Sequence, residues 1–484
     1  MLELKPILLV NGLMIAILGL TMLVPAGVDL WTIFGAPDWD VFLGSAFVTV
    51  FVGACLALSS RGYGCDIGPH QAFILTTSVW LILPAFGALP FIFSSLPLSY
   101  TDAFFEAMSG LTTTGSTVIV GLDTASPGIL LWRAILQWLG GIGIIVTAIA
   151  ILPMLRVGGM QLFHLESTDQ SGKVLPRAAQ LSGVIGGIYL GLSSLCALAY
   201  WLAGMNGFEA VAHAMTTIAT GGFSTSDLSV GYFDSPLIDG IAVVFMIVGS
   251  LPFLLYFQML RGRPLALWQD SQVRCFFAII AALTLLIALV RYASGGIGLL
   301  QSFRYTAFNV VSVVTGTGYS TDDYGLWGNF AVTLLFFAMF IGGCAGSTSC
   351  SVKVFRYQVL ATTTKTQIAR LLRPHGVFVP HFNGQPIPQQ AAESVMSFFF
   401  LFALCFAVLA ILLAVLGLDF MTAISAAATA IANVGPGLGD LVGPASTFAP
   451  LPDGAKWLMS AGMLLGRLEL FTVLVLFTPQ FWRS

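Results

Sequence analysis

Four times along this chain a short run of small and β-branched residues leads straight into a glycine with no obvious helical role. The runs are Ala107–Gly115, Ala214–Gly222, Val310–Gly318 and Ala427–Gly435, and their final glycines are separated by 107, 96 and 117 residues. Each run sits between two long apolar segments. Long helix, short helix, glycine turn and long helix is the pattern of a re-entrant pore loop, and four of them in one chain can surround a single axis. A lone loop of this kind would say little, because Gly and Thr are common in membrane helices. Four at similar spacing constrain the fold to an all-α membrane protein: four pseudo-symmetric helix–pore-loop–helix repeats around one pore.

Composition agrees. The chain is 57% hydrophobic and 8% charged, where soluble proteins carry about 25% charge. A spanning helix needs about 20 mostly apolar residues. Candidate spans run from Ile7 to Val28, Val41 to Leu58, Gln71 to Phe93, Pro127 to Leu152, Ala178 to Leu202, Pro236 to Leu260, Val273 to Val290, Asn329 to Leu360, Val395 to Leu416 and Lys456 to Leu476. The first two form an N-terminal hairpin without a loop (residues 1–68). The other eight pair around the four loops as repeats over 69–160, 161–262, 263–375 and 376–484. The loops begin near Tyr100, Gly207, Gly298 and Asp419, each with about 10–14 residues of helical pattern, too short to span. Irregular backbone at membrane depth is tolerated only where protein buries it or it lines a wet cavity.

Charge sets an expected topology. With both termini cytoplasmic, fourteen of nineteen Lys/Arg, including Lys353 and Arg356, fall inside, as the positive-inside rule requires. Fourteen of twenty-two acids fall outside. Asp102, Glu209 and Asp419 precede loops, and Asp123, Asp227, Asp322, Asp323 and Asp440 follow them; such carboxylates concentrate cations at a pore mouth. Seven cysteines (55, 65, 196, 275, 344, 350, 405) show no CxxC spacing and read as buried free thiols.

A dehydrated cation must exchange water oxygens for fixed ones. Backbone carbonyls supply them where the chain accepts positive φ. Thr113, Thr114 and Gly115 fit that need, as do Thr220, Gly221 and Gly222, then Gly316, Thr317 and Gly318, and finally Asn433, Val434 and Gly435. The half-helix C-termini present negative dipole ends to a cation. No nucleotide turn with βαβ context, HExxH motif or clustered acid/base set is visible, so an enzyme is not expected, and no cofactor is expected in this chain.

These loops, with Thr-Thr-Thr-Gly115, Gly-Gly222-Phe-Ser-Thr, Thr-Gly318-Tyr-Ser-Thr-Asp-Asp and Asn-Val-Gly435-Pro-Gly-Leu-Gly, resemble the Trk/Ktr/HKT superfamily of K⁺ transporters. Within it they look like the bacterial Trk-system uptake subunits, which also carry the N-terminal hairpin. The resemblance covers essentially the whole chain. It implies potassium uptake across the bacterial inner membrane, with K⁺ held at the twelve loop residues and Gly115, Gly222, Gly318 and Gly435 as filter glycines. The first repeat departs in having Ser116 where Phe223 and Tyr319 stand.

Two further features lie in the last two repeats. The eighth span is interrupted by Gly342-Gly-Cys-Ala-Gly-Ser-Thr-Ser-Cys-Ser351, a density of Gly and Ser that unwinds helices unless it serves as a small-residue packing face. The resemblance implies a mobile gating loop here, through Gly342, Gly343, Gly346, Ser347, Thr348 and Ser349. Arg467 lies inside the last span, where a guanidinium costs about 2.5–3.5 kcal/mol unless it finds a partner. It reads either as one half of an interhelical ion pair or as a positive constriction touching that loop; Glu469, at i+2, faces elsewhere on the helix. Glu106, Arg133, Arg304 and His213 read as structural hydrogen-bonding groups.

A potential of 100 mV supplies about 2.3 kcal/mol per charge, enough for roughly 50-fold accumulation without a coupled ion. A channel-like, potential-driven pore therefore needs no coupling machinery. The alternative is a K⁺ symporter coupled to H⁺ or Na⁺, which would call for inverted repeats and midplane carboxylates; the repeats here are parallel and pathway acids sparse. The cytoplasmic loops are too short to house a nucleotide domain. The resemblance implies a TrkA-type nucleotide-binding regulatory subunit on the cytoplasmic face, and a homodimer.

Overall fold

A computed structural model describes residues 4–31, 38–61, 68–147, 174–295 and 297–483. Cys65, Arg156, Lys173 and the end of the fourth expected span lie outside these residues. The N-terminal hairpin is α1 (Lys5–Thr21), α2 (Leu23–Trp31) and α3 (Trp39–Ser59). Its helices cross at Gly12 and Gly53, where a Cβ on either would press on the other's carbonyl oxygen, 2.7 Å away. Backbones that approach this closely gain dispersion contact, the main attraction between helices in lipid. The hairpin is pinned to the first repeat at one end: Asp29 accepts from Gly128 N at 2.6 Å, and Asp38 accepts from Ser95 N and Ser126 Oγ, both at 2.9 Å.

The first repeat is α4 (Pro69–Gly87) with α5 (Leu89–Phe93), the short α6 (Tyr100–Leu111) and α7 (Pro127–Val146). The second is α8 (Val174–Leu202), α9 (Gly207–Ile218), α10 (Pro236–Ser250) and α11 (Phe253–Leu260). After the four-residue α12 (Ala266–Gln269), the third is α13 (Ser271–Ala293), α14 (Leu299–Thr315), α15 (Asn329–Ala338) and α16 (Val354–Leu372). A two-strand ribbon, β1 (His381–Phe382) and β2 (Gln385–Pro386), turns at Asn383-Gly384. The fourth repeat is α17 (Gln389–Val415), α18 (Phe420–Ala432), α19 (Asp453–Arg467) and α20 (Phe471–Leu474), followed by α21 (Pro479–Arg483). The molecule is thus four helix–loop–helix repeats around one axis with a hairpin appended.

Local chemistry explains the short helices. Ser99, Asn206 and Asp419 cap α6, α9 and α18 by accepting from Asp102 N, Glu209 N and Thr422 N at 2.8–3.1 Å. Three of the four short helices have 12 or 13 residues, as expected, but α14 has 17. The extra turn is N-terminal, at residues 299–302, and just beyond it Arg304 reaches Asp239 at 2.7 Å and Asp234 at 3.3 Å.

Among the described residues, seven helices are long and apolar enough to cross a membrane, and two more spans are bent pairs. The break expected in the eighth span is present: α15 stops at Ala338 and helix resumes at Val354. Two breaks were not expected. α10 and α11 meet at 91°, and α19 meets the segment after it at 108°. Pro252 explains the first, since Leu251 before it is held extended (ψ 157°) and cannot continue a helix. At the second, Glu469 and Leu470 take positive φ of 63° and 44°. The thiol expectation needs correcting too: Cys196, Cys344 and Cys350 are buried, but Cys275 and Cys405 are half-buried and Cys55 is exposed on the apolar hairpin surface.

Candidate functional site: four converging loops and the segment beneath them

The short helices end alike. Thr113, Thr220, Gly316 and Asn433, each two residues before a loop glycine, all adopt left-handed φ between 50° and 76°. In three repeats the next amide returns to the carbonyl five residues back: Thr114 N to Ser109 O, Gly221 N to Thr216 O and Val434 N to Thr429 O, at 2.9–3.1 Å. This is the Schellman closure, usually made with Gly. Non-Gly residues there cost about 1–2 kcal/mol each, so the packed surroundings must hold them. Gly115, Gly222 and Gly318 also have positive φ (77–89°), and Gly435 does not. Pro436 follows Gly435 and restricts it to the extended region.

The four loops close a ring. A Cβ built on Gly115 would collide with Gly221 O, and one on Gly222 with Thr317 O. One on Gly318 would lie 3.0 Å from Gly435 N, and one on Gly435 would lie 2.9 Å from the Gly115 carbonyl carbon. Each loop therefore abuts the next in chain order and the fourth returns to the first. All four glycines line one outer cavity of about 360 Å³. The structure brings the twelve expected loop residues together.

The side chains behind the ring differ between repeats. Ser116 Oγ donates to Gly435 O at 2.9 Å, so the serine standing where repeats two and three have Phe223 and Tyr319 stitches loop one to loop four. Asn433 Nδ2 donates to Thr114 Oγ1 and Met463 O, both at 2.9 Å. Tyr319, fully buried, meets Thr216 Oγ1 at 2.5 Å. Arg133 donates to Glu106 at 2.8 Å and to Ser224 O at 2.7 Å, with its guanidinium 4.1 Å from the Phe223 ring centroid. His213 is hydrogen-bonded to Glu209 O and Ser224 Oγ. These ionisable groups are structural, as expected.

The acids expected at the pore mouth are more engaged than a bare funnel requires. Asp102 holds Lys456 at 2.5 Å, Asp322 holds Arg291 at 3.1 Å, and Glu209 and Asp419 serve as caps. Hydrogen bonds from Thr422 hold the Asp419 carboxyl below the usual range. Of the acids flanking the loops, Asp227 alone lines the outer cavity among the described residues, and it accepts Gly121 N and Leu122 N.

Beneath the ring lies the 342–351 segment, irregular and buried. Many of its polar groups find partners within the protein. Cys344 N and Thr348 N donate to Ser250 O and Gly249 O, at 3.0 and 3.2 Å, carbonyls that the break at Pro252 leaves without helical partners. Gly346 O accepts from Phe253 N at 3.0 Å, and Gly343 N donates to Ser349 Oγ at 2.9 Å. Ser347 Oγ turns back to Cys344 O, and Gly342 N donates to Val352 O. Upward, Ser349 Oγ donates to Thr315 O at 2.6 Å, Thr348 Oγ1 to Ile218 O at 3.0 Å, and Cys350 Sγ lies 3.6 Å from Thr113 Oγ1. The segment thus touches the ends of three short helices. Against it lies a cavity of about 30 Å³, lined also by Lys353, Arg356 and Arg467, with room for one or two waters.

Arg467 is buried at the end of α19. It donates to Thr348 O at 3.2 Å and Gly140 O at 2.9 Å, and it contacts Cys350 Sγ. Among the described residues it pairs with no carboxylate; Glu469 is taken by Arg356. The ion-pair alternative for Arg467 is therefore not what the fold builds. Lys353 and Arg356, placed in the cytoplasm from sequence, are both buried against this segment, Lys353 donating to Ser349 O. Sequence reasoning also passed over Gln137, whose amide bonds Gly221 O; a lone glutamine inside an apolar span was the available signal.

A polytopic helical molecule whose short helices converge on a ring of backbone turns, with a buried irregular segment directly below, is a membrane transport protein and not an enzyme. Comparison with known proteins narrows the class: the profile of the TrkH cation transport proteins matches residues 40–484, and the chain belongs to that family. It is 46% identical over 481 residues to the Trk system potassium uptake protein TrkI of Halomonas elongata, covering 99% of this chain and 97% of that one. It is 40% identical to TrkH of Vibrio parahaemolyticus over the full length of both. The crystal structure of the potassium transporter TrkH from Vibrio parahaemolyticus superposes with a TM-score of 0.92 at 39% identity, covering both chains entirely.

Proposed function

We propose that this chain takes up K⁺ through a channel-like pore driven by membrane potential. Thr113–Gly115, Thr220–Gly222, Gly316–Gly318 and Asn433–Gly435 form its selectivity filter, and residues 342–351 with Arg467 form its gate. The observation that carries the reading is the ring: four helix ends, each closed by a left-handed residue, place backbone carbonyls from four loops around one axis. Carbonyl rings of this kind substitute for the hydration shell of a cation. The relatives named above as potassium uptake proteins supply the ion. The carboxylates nearest the loops and the segment beneath them, Glu106 and Glu469, are each held by an arginine, so neither is free to carry a coupled proton.

The same reading takes the repeat boundaries given above as structural units and places both termini in the cytoplasm of a bacterial inner membrane. It assigns the basic cytoplasmic loops to a TrkA-type regulator and the assembly to a homodimer. The deciding experiment is flux in proteoliposomes holding only this chain, comparing K⁺, Rb⁺, Na⁺ and Li⁺, with Gly318→Ser alongside. Potential-driven, K⁺-preferring flux whose preference is weakened by Gly318→Ser supports the reading. Flux that requires an H⁺ or Na⁺ gradient, or that ignores Gly318→Ser, replaces it with a symporter.

A further inference from the structure

Gln137 lies on α7 and is fully buried. Its Nε2 donates to Gly221 O at 2.6 Å, and its Oε1 accepts from Phe223 N at 3.0 Å. The two bonds bracket Gly222. The carboxamide lies flat on the loop backbone: a Cβ on Gly221 would come within 2.5 Å of Oε1.

The register of the repeats shows how particular this arrangement is. Gly140, Gly249 and Gly466 are equivalent positions. A Cβ on each would press on the carbonyl of the residue four before its loop glycine: Leu111, Ile218 and Ile431 respectively. Three residues earlier on the same helices stand Gln137, Met246 and Met463, all buried. Two repeats therefore fill this position with a thioether of similar length, and one fills it with an amide. An amide buried without partners costs about 1–3 kcal/mol, so packing alone gives no reason to prefer it. What the amide adds is a donor and an acceptor aimed at loop two.

A carbonyl that accepts a hydrogen bond is fixed in orientation, with one lone pair occupied. Discrimination between cations of similar size depends on the number and field of the carbonyls presented to them. We propose that Gln137 is a specificity-determining positioning residue: its carboxamide pins the Gly221 carbonyl and the Phe223 amide, and so sets which oxygens loop two offers to the ion. Gln137 does not touch the ion itself. The inference rests on the four-loop filter proposed above.

The test uses the full chain in proteoliposomes and reads the K⁺:Na⁺ flux ratio and the half-saturating K⁺ concentration. Q137M keeps the length and volume used by the other repeats and removes both hydrogen bonds. Its K⁺:Na⁺ ratio is expected to fall about tenfold, the equivalent of roughly one lost hydrogen bond. A Q137M protein with reduced maximal flux but the wild-type ratio would make Gln137 a packing residue and overturn the proposal. Q137E covers the case in which Q137M does not fold. Its carboxylate accepts from Phe223 N but cannot donate to Gly221 O, whereas its neutral carboxyl can. The Q137E ratio is therefore expected to rise as pH is lowered, while the wild-type ratio stays flat; a pH-independent Q137E ratio overturns the proposal. Wild-type vesicles without K⁺ preference would instead defeat the filter reading, a distinguishable failure.

Discussion

The guanidinium of Arg467 donates to the backbone carbonyl of Thr348 at 3.2 Å, tying the end of α19 to the irregular segment beneath the loop ring. Its other end reaches Gly140 O on α7 at 2.9 Å, so one side chain bridges the first and last repeats through the segment between them. A hydrogen bond to a charged group contributes about 1.5–3 kcal/mol. Arg467→Ala should free the segment and raise K⁺ flux by about tenfold or more, with the K⁺:Na⁺ ratio unchanged because the ring above is untouched. Flux and ion ratio measured in the same vesicles check this. Unchanged flux in a folded variant would remove Arg467 from the gate.

Asn433 separates conformational strain from side-chain contact. It holds φ 52° and also bonds Thr114 Oγ1 and Met463 O. Asn433→Ala loses the contacts and tolerates left-handed backbone poorly; Asn433→Gly loses the contacts but relieves about 1 kcal/mol of backbone strain. Both should weaken K⁺ preference, and the alanine variant should unfold at the lower temperature. Thermal unfolding followed by size exclusion, with the ion ratio alongside, distinguishes the two.

How far this was legible in sequence varies with the physics of each part. The four short helices were readable because a span of about 20 residues is a hard threshold and 12–17 residues fall below it. The loop glycines were readable because they recur, and for Gly115, Gly222 and Gly318 because Gly accepts positive φ without cost; at Gly435 the close approach of the first loop, not φ, excludes a side chain. The left-handed Thr113, Thr220 and Asn433 were readable only as neighbours of those glycines. The bend at Pro252 was missed because hydropathy is blind to backbone direction, although the proline itself was in view. The burial of Lys353 and Arg356 was missed for a deeper reason. Basic residues after an apolar stretch normally mark a cytoplasmic end, and only the tertiary fold brings Glu469 and Ser349 O to meet them.

Arg133 and Glu106 form a fully buried pair behind the first loop, with Glu106 also accepting from Val118 N at 2.9 Å. Removing one partner leaves the other charge stranded, at a cost of about 3–5 kcal/mol. Glu106→Leu alone should therefore abolish or severely reduce recoverable folded protein. The double substitution Glu106→Leu with Arg133→Met removes both charges and should restore much of the thermal stability. Detergent-solubilised melting curves of the three proteins check the order. A double variant no better than the single would mean that the bonds to Val118 and Ser224, not the charge pairing, carry the stability.

Pro252 links the bend in the sixth span to the segment under the ring. The bend leaves Gly249 O and Ser250 O without helical partners, and Thr348 N and Cys344 N occupy them. Replacing Pro252 with Leu removes the steric bar that keeps Leu251 extended and restores a backbone N–H able to join a helical ladder. A straightened span would reclaim those carbonyls and leave two amides of the segment unpaired, each at a cost of about 1–3 kcal/mol. Pro252→Leu should then resemble Arg467→Ala: higher flux, unaltered ion ratio, and added loss of stability because the freed amides belong to buried residues. Combining the two substitutions should give less than the product of their separate effects on flux, because both act on the same segment. Flux that multiplies instead would show that Arg467 and the bend restrain different parts of the pathway.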